Sequence, residues 1–505
     1  MTQQEKQKQM PATGQAELLK VRQGKCDSLR QSGADPYPYK YAPDHKAIAL
    51  HEKYKDLENG TETTDQVCVA GRIMAMRNNG MFLDLQDSSG KIQLFCHKDS
   101  TPAGELAKLD YLDIGDIIGG EGTIRRTPRG ELSIRAVKIQ MLSKSMRPLP
   151  EKYHGLSDIE ARYRQRYVDL IMNEESRNTL RTRSRIIALI RNYMNDMGAL
   201  EVETPILNSI MGGASAKPFV THHNALDTDF YLRVSPELYL KRLIVGGLAD
   251  DVYEIGRLFR NEGISPKHNP EFTAIEGYHV YKDYHDMMDL VENLVQTIVL
   301  DIHGSLKIPY GDYEIDYSSP WKRQSMLSLV EEESKIDFMT LKTADEARTA
   351  ARDLGIFVDP KASWGQVVET VFDALVEPKL IQPTHVMDHP LDISPLAKVH
   401  RENPRLVERF ETFINCWEIA NAFSELNDPA VQRERFNAQV AARNAGDEEA
   451  QMLDEDYVVA LEYGLPPTGG WGMGIDRLVM LVTNSSNIRD VICFPTLKPK
   501  KNPDQ

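Results

Sequence analysis

Residues 259–272 read FRNEGISPKHNPEF. The runs on either side, DVYEIGRLF (251–259) and FTAIEGYHVYKDY (272–284), are rich in Val, Ile, Tyr and Phe and partly alternate, as half-buried strands do. Gly263, Pro266 and Pro270 between them fit a turn rather than a helix, so the stretch predicts a β-hairpin. Side chains two apart in a strand share a face. Arg260 and Glu262 are therefore expected to point the same way, as are Phe272, Glu276 and Tyr278 on the return strand. If those faces coincide, one surface carries a guanidinium, two carboxylates, a phenol and an aromatic ring. Folded chains do not bury that mixture without partners. Taken alone, the stretch reads equally well as a solvated hairpin with surface ion pairs.

The chain around it has 505 residues, 41% hydrophobic and 27% charged, the composition of a soluble globular protein of several domains. It has no apolar run of about eighteen residues, so no membrane-spanning helix is expected. The start, MTQQEKQKQMPATGQAELLK, lacks the apolar stretch of a signal peptide and reads as a disordered tail running into a helix. Cys26, Cys68, Cys96, Cys416 and Cys493 form no CxxC pair and no Cys/His cluster with zinc spacing. Reduced thiols in a cytosolic protein are the simplest reading. The net charge of −15 argues against uniform nucleic-acid binding. It is uneven, however: residues 1–191 hold 31 Lys and Arg against 25 Asp and Glu, and the remainder 29 against 50. A front part at +6 on a body at −21 permits a local polyanion site.

Helices are expected over 15–32 and 44–57, separated by the Pro-rich GADPYPYKYAP. From residue 66 short strands follow, punctuated by NNG, SSG, GG and PRG. Four or five strands in about eighty residues predict a small closed β-barrel. RPLPEKYHG reads as a linker. Over 174–197, Ile186, Leu189, Ile190, Tyr193, Met194 and Met197 follow helical spacing, with Gly198 as terminator. A strand ending at Pro205 comes next, and a helical insertion is expected near 340–380. Two later stretches carry chemistry. RFETFINCWEIANAFSELND (409–428) sets Glu411, Glu418 and Glu425 among aromatics, with Asn421, Phe423 and Glu425 on one face by alternation. GLPPTGGWGMGIDRLVMLVTN (464–484) places glycines before Asp476-Arg477 and an apolar helix, where close backbone approach and a helix start suit an anion. It is not a GxxxxGK[ST] loop, which excludes a P-loop site.

Together GALEVETPIL, FRNEGIS with HNPEF, and GMGIDR resemble motifs 1, 2 and 3 of the class II aminoacyl-tRNA synthetases, in the family's order. The barrel is similar to the N-terminal OB-fold of the aspartyl, asparaginyl and lysyl subgroup. HNALDTDFYLRVSPELYLKRL, RNEGISPKHNPEFT, FSELNDP and EYGLPPTGGWGMGIDRL resemble the lysyl branch, and the likeness covers roughly residues 65 to 497. It implies an α+β multidomain chain: tail and helices at 1–64, an OB-fold anticodon-binding domain at 65–147, and a linker at 148–173. An antiparallel-sheet catalytic domain would occupy 174–505, with its helical insertion at about 335–385. It implies ATP-dependent ligation of L-lysine to tRNA(Lys) through a lysyl-adenylate, releasing AMP and diphosphate. It also implies a cytoplasmic homodimer joined through 174–207.

The resemblance further implies roles for single residues. Arg260 would bridge the α-phosphate and the lysine carboxylate. Glu262 would accept from the adenine amino group, Phe272 would stack under the ring, and His268 and Asn269 would attend the ATP. Arg477 would hold the γ-phosphate, and Glu411 and Glu418 would bind Mg²⁺ through oxygen. For lysine, Glu425, Tyr278 and Glu276 would take the side-chain ammonium, and Glu237 with the Gly213 carbonyl the α-ammonium. Asn421 would help hold the carboxylate, and Phe423 would line the aliphatic stem. An aspartate enzyme would need a cation there, and none stands at these matched positions. In the barrel, Phe82 is the base-stacking candidate, with Arg72, Gln93 and Glu131 reading base edges.

Strict alternation puts Glu418 on the face opposite Asn421, Phe423 and Glu425, so a bulge or turn near 419–420 is required if all serve one site. Ala199 stands where relatives often carry an aromatic. Ala420 and Ala422 stand where some relatives carry glycine, and are expected to narrow the pocket. Two rivals stay open here: an aspartate or asparagine ligase of the same subgroup, disfavoured by the acidic pocket, and a non-catalytic tRNA-binding paralogue, disfavoured by intact Arg260, Glu262 and Arg477.

Overall fold

Five strands close on themselves in the first of two units. The computed structural model describes residues 12–150, 158–444, 446 and 450–499, and the chain divides at Leu156/Ser157. Most of the stretch read as an N-terminal tail lies outside the described residues. Helices α1 (Ala12–Gln31) and α2 (Ala47–Lys53) precede strands β1 (Glu62–Arg77), β2 (Phe82–Gln86), β3 (Lys91–Phe95), β4 (Ile117–Arg126) and β5 (Leu132–Ser143). The strands form a closed barrel in the order β1-β2-β3-β5-β4. Alternation turns Val67, Val69, Ile73, Leu83, Leu85, Leu94, Ile124 and Ile134 inward to a common core. Helix α1 is fastened by Arg22, whose buried guanidinium donates to the carbonyls of Ser145, Arg147 and Ile114 at 2.6, 3.2 and 3.0 Å. Three charge-assisted bonds to carbonyls that the barrel leaves unused make this a strong clasp.

The second unit holds helix α3 (Glu174–Asp196), strand β6 (Leu200–Glu201), helix α4 (Glu237–Val245), strands β7 (Asp251–Phe259) and β8 (Glu271–Val280), and helix α5 (Tyr284–His303). Strand β9 (Lys322–Ser325) leads into helices α6 (Met326–Ser334), α7 (Ala344–Asp353) and α8 (Trp364–Leu375). Strands β10 (Thr384–Met387), β11 (Arg409–Ile414) and β12 (Trp417–Ser424), helix α9 (Glu455–Glu462), strand β13 (Thr468–Gly474) and helix α10 (Ile475–Val482) follow, with two small sheets and further helices around them. One eight-stranded sheet runs β9-β10-β11-β12-β13-β8-β7-β6. Its inner pairings are antiparallel, with parallel pairs only at the ends, β6–β7 and β9–β10.

Helices α3, α5 and α10 cover one face of this sheet. Ile186, Ile190 and Met194 of α3 meet Val291, Leu294 and Ile298 of α5 and Leu478 and Val479 of α10 in a single core. A sheet so covered buries alternate residues and leaves the others on the opposite face, free for a ligand. Ala199 is buried in that core. The helical insertion begins at Met326 and has its own core of Val330, Phe338, Val367, Val368 and Phe372.

Two expectations need correction. Of the segment read as a linker, residues 158–173 form two short helices of the second unit, Ile159–Arg164 and Arg166–Met172. Arg166, buried there, pairs with Asp169 at 2.9 Å and donates to the Cys493 carbonyl at 3.1 Å. A buried arginine with that many partners is part of a core, not of a tether. Ala420 and Ala422 do not narrow a pocket, because both are buried on the helix side of the sheet.

Candidate active site

Registers across the four central strands build the site in rows. Glu411, Asn421, Gly472 and Glu276 are successive partners across β11, β12, β13 and β8. The neighbouring row of the same face is Arg409, Phe423, Gly470 and Tyr278. The row between them, Phe410, Ala422, Trp471 and Gly277, belongs to the opposite face and packs on the helices. In β12 the register slips between Thr412, which faces Ala420, and Phe413, which faces Glu418. Ile419 is thus the extra residue of a bulge. The required irregularity lies where alternation demanded it, and it returns Glu418 to the face of Asn421.

These rows floor a cleft of about 1120 Å³, open side included, whose walls come from the 259–272 hairpin and the start of α10. Arg260, Glu262, His268, Asn269, Phe272, Arg477 and Glu418 line one end; Gly213, Glu237, Glu276, Tyr278, Asn421, Phe423 and Glu425 line the other. Strand β7 stops at Phe259, so Arg260 and Glu262 share the cleft without the strict alternation expected of them. The Arg260 guanidinium lies 5.3 Å from the Phe272 ring centre, and its Nε is buried with no hydrogen-bond partner. A half-buried guanidinium with no side-chain partner, opening on a cleft, is poised for an anion. Arg477 donates to the Glu418 carbonyl at 2.6 Å and lies 3.2 Å from His268 Nε2. Burial, then the charges of Arg477, Lys267 and Arg260, lower the His268 pKa, so the ring is neutral near pH 7.

At the other end, Ser235 Oγ donates to both Glu276 oxygens at 2.9 and 3.0 Å. Burial, reinforced by the charge of Glu237, raises the Glu276 carboxyl to about 8. Arg409 donates to Asn421 Oδ1 at 3.0 Å, which leaves the Asn421 amino group as the donor into the cleft. Arg409 also pairs with Glu411 at 2.6 Å. Gly213 has φ +88°, a backbone conformation that suits glycine. Gly470 was read as allowing a ligand near the backbone, but it instead makes room for protein side chains: a Cβ there would lie 1.8 Å from Glu425 Oε1.

Some expected ligands are placed differently. Asn269 lines the cleft, yet its amide is engaged with backbone on both sides, donating to the Glu271 carbonyl at 2.6 Å and accepting from Thr496 N at 3.3 Å. It shapes the hairpin. Glu411 does not line the cleft itself but stands beside it on the same face as Glu418. Among the described residues no three His, Cys, Asp or Glu side chains are arranged to hold a metal alone. Two carboxylates on one face fit Mg²⁺, which is commonly held by one or two carboxylates plus substrate phosphates.

Two features escaped the sequence. A cation does stand by the pocket: Lys241 of α4, wholly buried, contacts both Glu237 and Glu425. The three motif segments are also tied together. Arg183 of α3 pairs with Asp476 of α10 and donates to Thr273 Oγ1 at 3.0 Å, while Thr273 N donates to Asp476 at 2.6 Å. Helical spacing in one segment and a charge some 290 residues on give no local signal of such a pair.

On the barrel, Phe82 stands outside the core as the cross-strand partner of Phe95, with ring centres 5.2 Å apart. His97 stacks on Phe95 at 5.6 Å, and the Arg125 guanidinium lies 4.5 Å from that ring. Gln93 is on the same face but largely buried, donating to Asp84 at 3.4 Å. Glu131 is exposed just before β5, two residues from Ser133, the partner of Gln93. Arg72 is not brought to Phe82. It faces Gln86 at the far end of β2 and donates to the Gly115 carbonyl at 2.7 Å. Arg77, directly across from Phe82 and bidentate to Asp84 at 2.8 Å, occupies the place expected of it.

The 259–272 hairpin over a six-stranded antiparallel core in one unit, and a small closed barrel in the other, define a class. The chain belongs to the class II tRNA synthetases of the D, K and N type, whose sequence pattern matches residues 158–498; that of the OB-fold nucleic acid binding domain matches 67–142. Among individual proteins it is 51% identical over 485 residues to the lysine–tRNA ligase of Rhizobium meliloti (strain 1021), covering 96% of this chain and 97% of that one. It is 52% identical over 489 residues to the lysine–tRNA ligase of Pelotomaculum thermopropionicum, 96% of each. With that of Moorella thermoacetica it shares 50% over 494 residues, 97% of this chain and all of the relative.

Proposed function

We propose that the chain ligates L-lysine to tRNA(Lys) in two ATP-dependent steps. In the first, an oxygen of the lysine carboxylate attacks the α-phosphorus of ATP, and the bond to the pyrophosphate leaving group breaks. In the second, a hydroxyl of the tRNA 3′-terminal ribose attacks the lysyl carbonyl carbon and AMP leaves. The attacking carboxylate needs no base, so the protein's work is positioning and charge stabilisation. Arg260 would hold the α-phosphate and the carboxylate together. Phe272 would carry the adenine ring, Glu262 would accept from its amino group, and His268 and Arg477 would take the triphosphate tail. Mg²⁺, held by Glu411 and Glu418 with phosphate oxygens, would supply charge neutralisation on the phosphates. Glu425, Glu276 and Tyr278 would receive the lysine side-chain ammonium, Glu237 and the Gly213 carbonyl the α-ammonium, and Asn421 the carboxylate, with Phe423 along the stem.

The observation that carries this reading is the pocket's polarity. Three carboxylates, the buried Glu237 and Glu425 and the half-buried Glu276, lie at one end and an unpaired guanidinium at the other. A zwitterion with a second ammonium matches that pattern, and an aspartate does not. On the barrel, Phe82 with Gln93 and Glu131 would bind the unpaired anticodon bases. Exposed Met197, Leu200, Ile206, Leu207 and Val220 follow or neighbour α3 and support a homodimer through that region. No described helix is long and apolar enough to cross a membrane, and all five cysteines are free, which supports a cytoplasmic location.

Exchange of labelled pyrophosphate into ATP tests the whole reading. Lysine should drive exchange while aspartate and asparagine do not. Exchange with either of those, or none with any amino acid, would overturn it.

A further inference from the structure

Behind the pocket's carboxylates stands a lysine of the chain itself. Lys241 follows Glu237 by one turn of α4, and its side chain has no exposed surface. Its ammonium lies 2.5 Å from Glu237 Oε1 and in contact with Glu425 Oε2. Three rings enclose it, with Phe423, Tyr278 and Tyr457 centred 5.4, 5.8 and 5.9 Å away. Two carboxylates within an aromatic cage are the chemistry that would suit the substrate's own ammonium.

We propose that Lys241 is a positioning residue for amino-acid selection: it pairs with Glu237 and Glu425, keeps both aimed, and sets the pocket charge so that only a substrate with two ammonium groups neutralises it. This rests on the lysine pocket proposed above. Once lysine has displaced the proton of Glu276, Glu237, Glu276 and Glu425 contribute three negative charges, and Lys241 returns one positive. The remaining two match the α- and side-chain ammoniums of lysine, while Arg260 is left for the carboxylate. An amino acid with a neutral or acidic side chain leaves a dehydrated carboxylate unpaired, which is costly. Without Lys241, three carboxylates would crowd one dry site, and protonation would extend beyond Glu276 to Glu237 or Glu425.

The groups facing Lys241 come from every side of the pocket: Glu237 on its own helix, Glu425 beyond β12, Glu276 and Tyr278 on β8, and Tyr457 on α9, with Arg409 of β11 acting on Glu237. Burial works to lower the Lys241 pKa, but Glu237 and Glu425 outweigh it and the net shift is upward. The residue therefore stays a cation throughout the working range. Burial pushes the Glu425 carboxyl up, and the Lys241 ammonium is the largest influence opposing it.

The test compares lysine and ATP KM in pyrophosphate exchange between about pH 6.5 and 9 for three variants, with thermal unfolding as the check on folding. Lys241→Met should raise the lysine KM by about 100-fold near pH 7, the scale of an unpaired buried charge, and leave the ATP KM nearly unchanged. The deficit should shrink as pH rises and the carboxylates lose their protons. Lys241→Arg keeps the charge but moves it. It should raise the lysine KM selectively, by about tenfold or less, with the wild-type pH profile. A merely structural residue would move both KM values together without a change of pH profile. An unchanged lysine KM, an equal rise for ATP, or a pH-independent deficit in Lys241→Met overturns the proposal. Should Lys241→Met not fold, an altered pH profile or a parallel rise in ATP KM in Lys241→Arg does so. Glu425→Gln separates the two claims. If it leaves the lysine KM unchanged, the pocket itself is misread; if it is selective and the Lys241 variants are not, only the role of Lys241 falls.

Discussion

Gly470→Ala places one methyl group where the structure has no room for it. The added carbon would lie 1.8 Å from Glu425 Oε1 and 2.6 Å from Tyr278 Cε1. Carbon–oxygen contacts close at about 3.3 Å, so the Glu425 carboxylate must retreat by roughly 1.5 Å. Its retreat is opposed, because Lys241 holds it from the other side in a fully buried setting. A displacement of about 1 Å in a positioned group can cost on the order of 100-fold. The lysine kcat/KM should therefore fall by about 100-fold, near 3 kcal/mol. ATP recognition should survive, since Arg260, Phe272 and Arg477 lie at the other end of the cleft. Pyrophosphate exchange would be measured with lysine varied at saturating ATP, then the reverse, and thermal unfolding would confirm a folded protein. A wild-type lysine KM in the folded variant would mean that Glu425 does not touch the substrate. Equal losses toward lysine and ATP would mean that the methyl group disturbs the whole sheet.

Arg260→Ala should abolish lysyl-adenylate formation in a folded protein, with a loss of about 3 kcal/mol or more in transition-state stabilisation; near-normal exchange would remove Arg260 from its role. Glu276, raised to about 8 by burial, binds a proton in the free site below that pH. Lysine must displace this proton, so the lysine KM should fall as pH rises from about 6 to 8 and then level, whereas a flat profile would show that Glu276 does not meet an ammonium. Phe82→Ala should leave lysine activation intact and weaken tRNA charging by about 1–3 kcal/mol, the worth of one stacked base. The defect should vanish with a minihelix that lacks the anticodon arm, and an equal loss on both RNAs would relocate the anticodon surface.

The sequence disclosed those parts of the site whose chemistry is written within one short segment. The Phe272-Glu276-Tyr278 and Asn421-Phe423 faces were legible because strand period fixes which residues stand together. Even the bulge was legible, since Glu418 could join Asn421 only if one residue were extra. What stayed hidden depends on contacts between distant segments. Lys241 reads as one more polar residue of an amphipathic helix until Glu425, far along the chain, is laid against it. Arg72 and Arg77 are both outward positions of β1, and only the pairing with β2 tells which one meets Phe82. The helices at 159–172 were obscured by the Pro-rich run before them. They are secured by Arg166, whose bonds to Arg489 and Cys493 carbonyls link the two ends of the unit.

The extra residue at Ile419 also divides labour along a single strand. On one side of it β12 presents Glu418 to the end of the cleft proposed for the phosphates; on the other it presents Asn421, Phe423 and, just beyond, Glu425 to the end proposed for the amino acid. Because the break in register absorbs one residue, the two segments are phased independently, like two gears with an idler between them. Residues past the bulge can then be exchanged to accept a different side chain without re-aiming the phosphate end. Deleting Ile419 would couple them: either Glu418 or the Asn421 row would turn toward the helices. A library for new amino-acid specificity should therefore vary Phe423 and Glu425, keep the core residue Ala422, and leave position 419 in place.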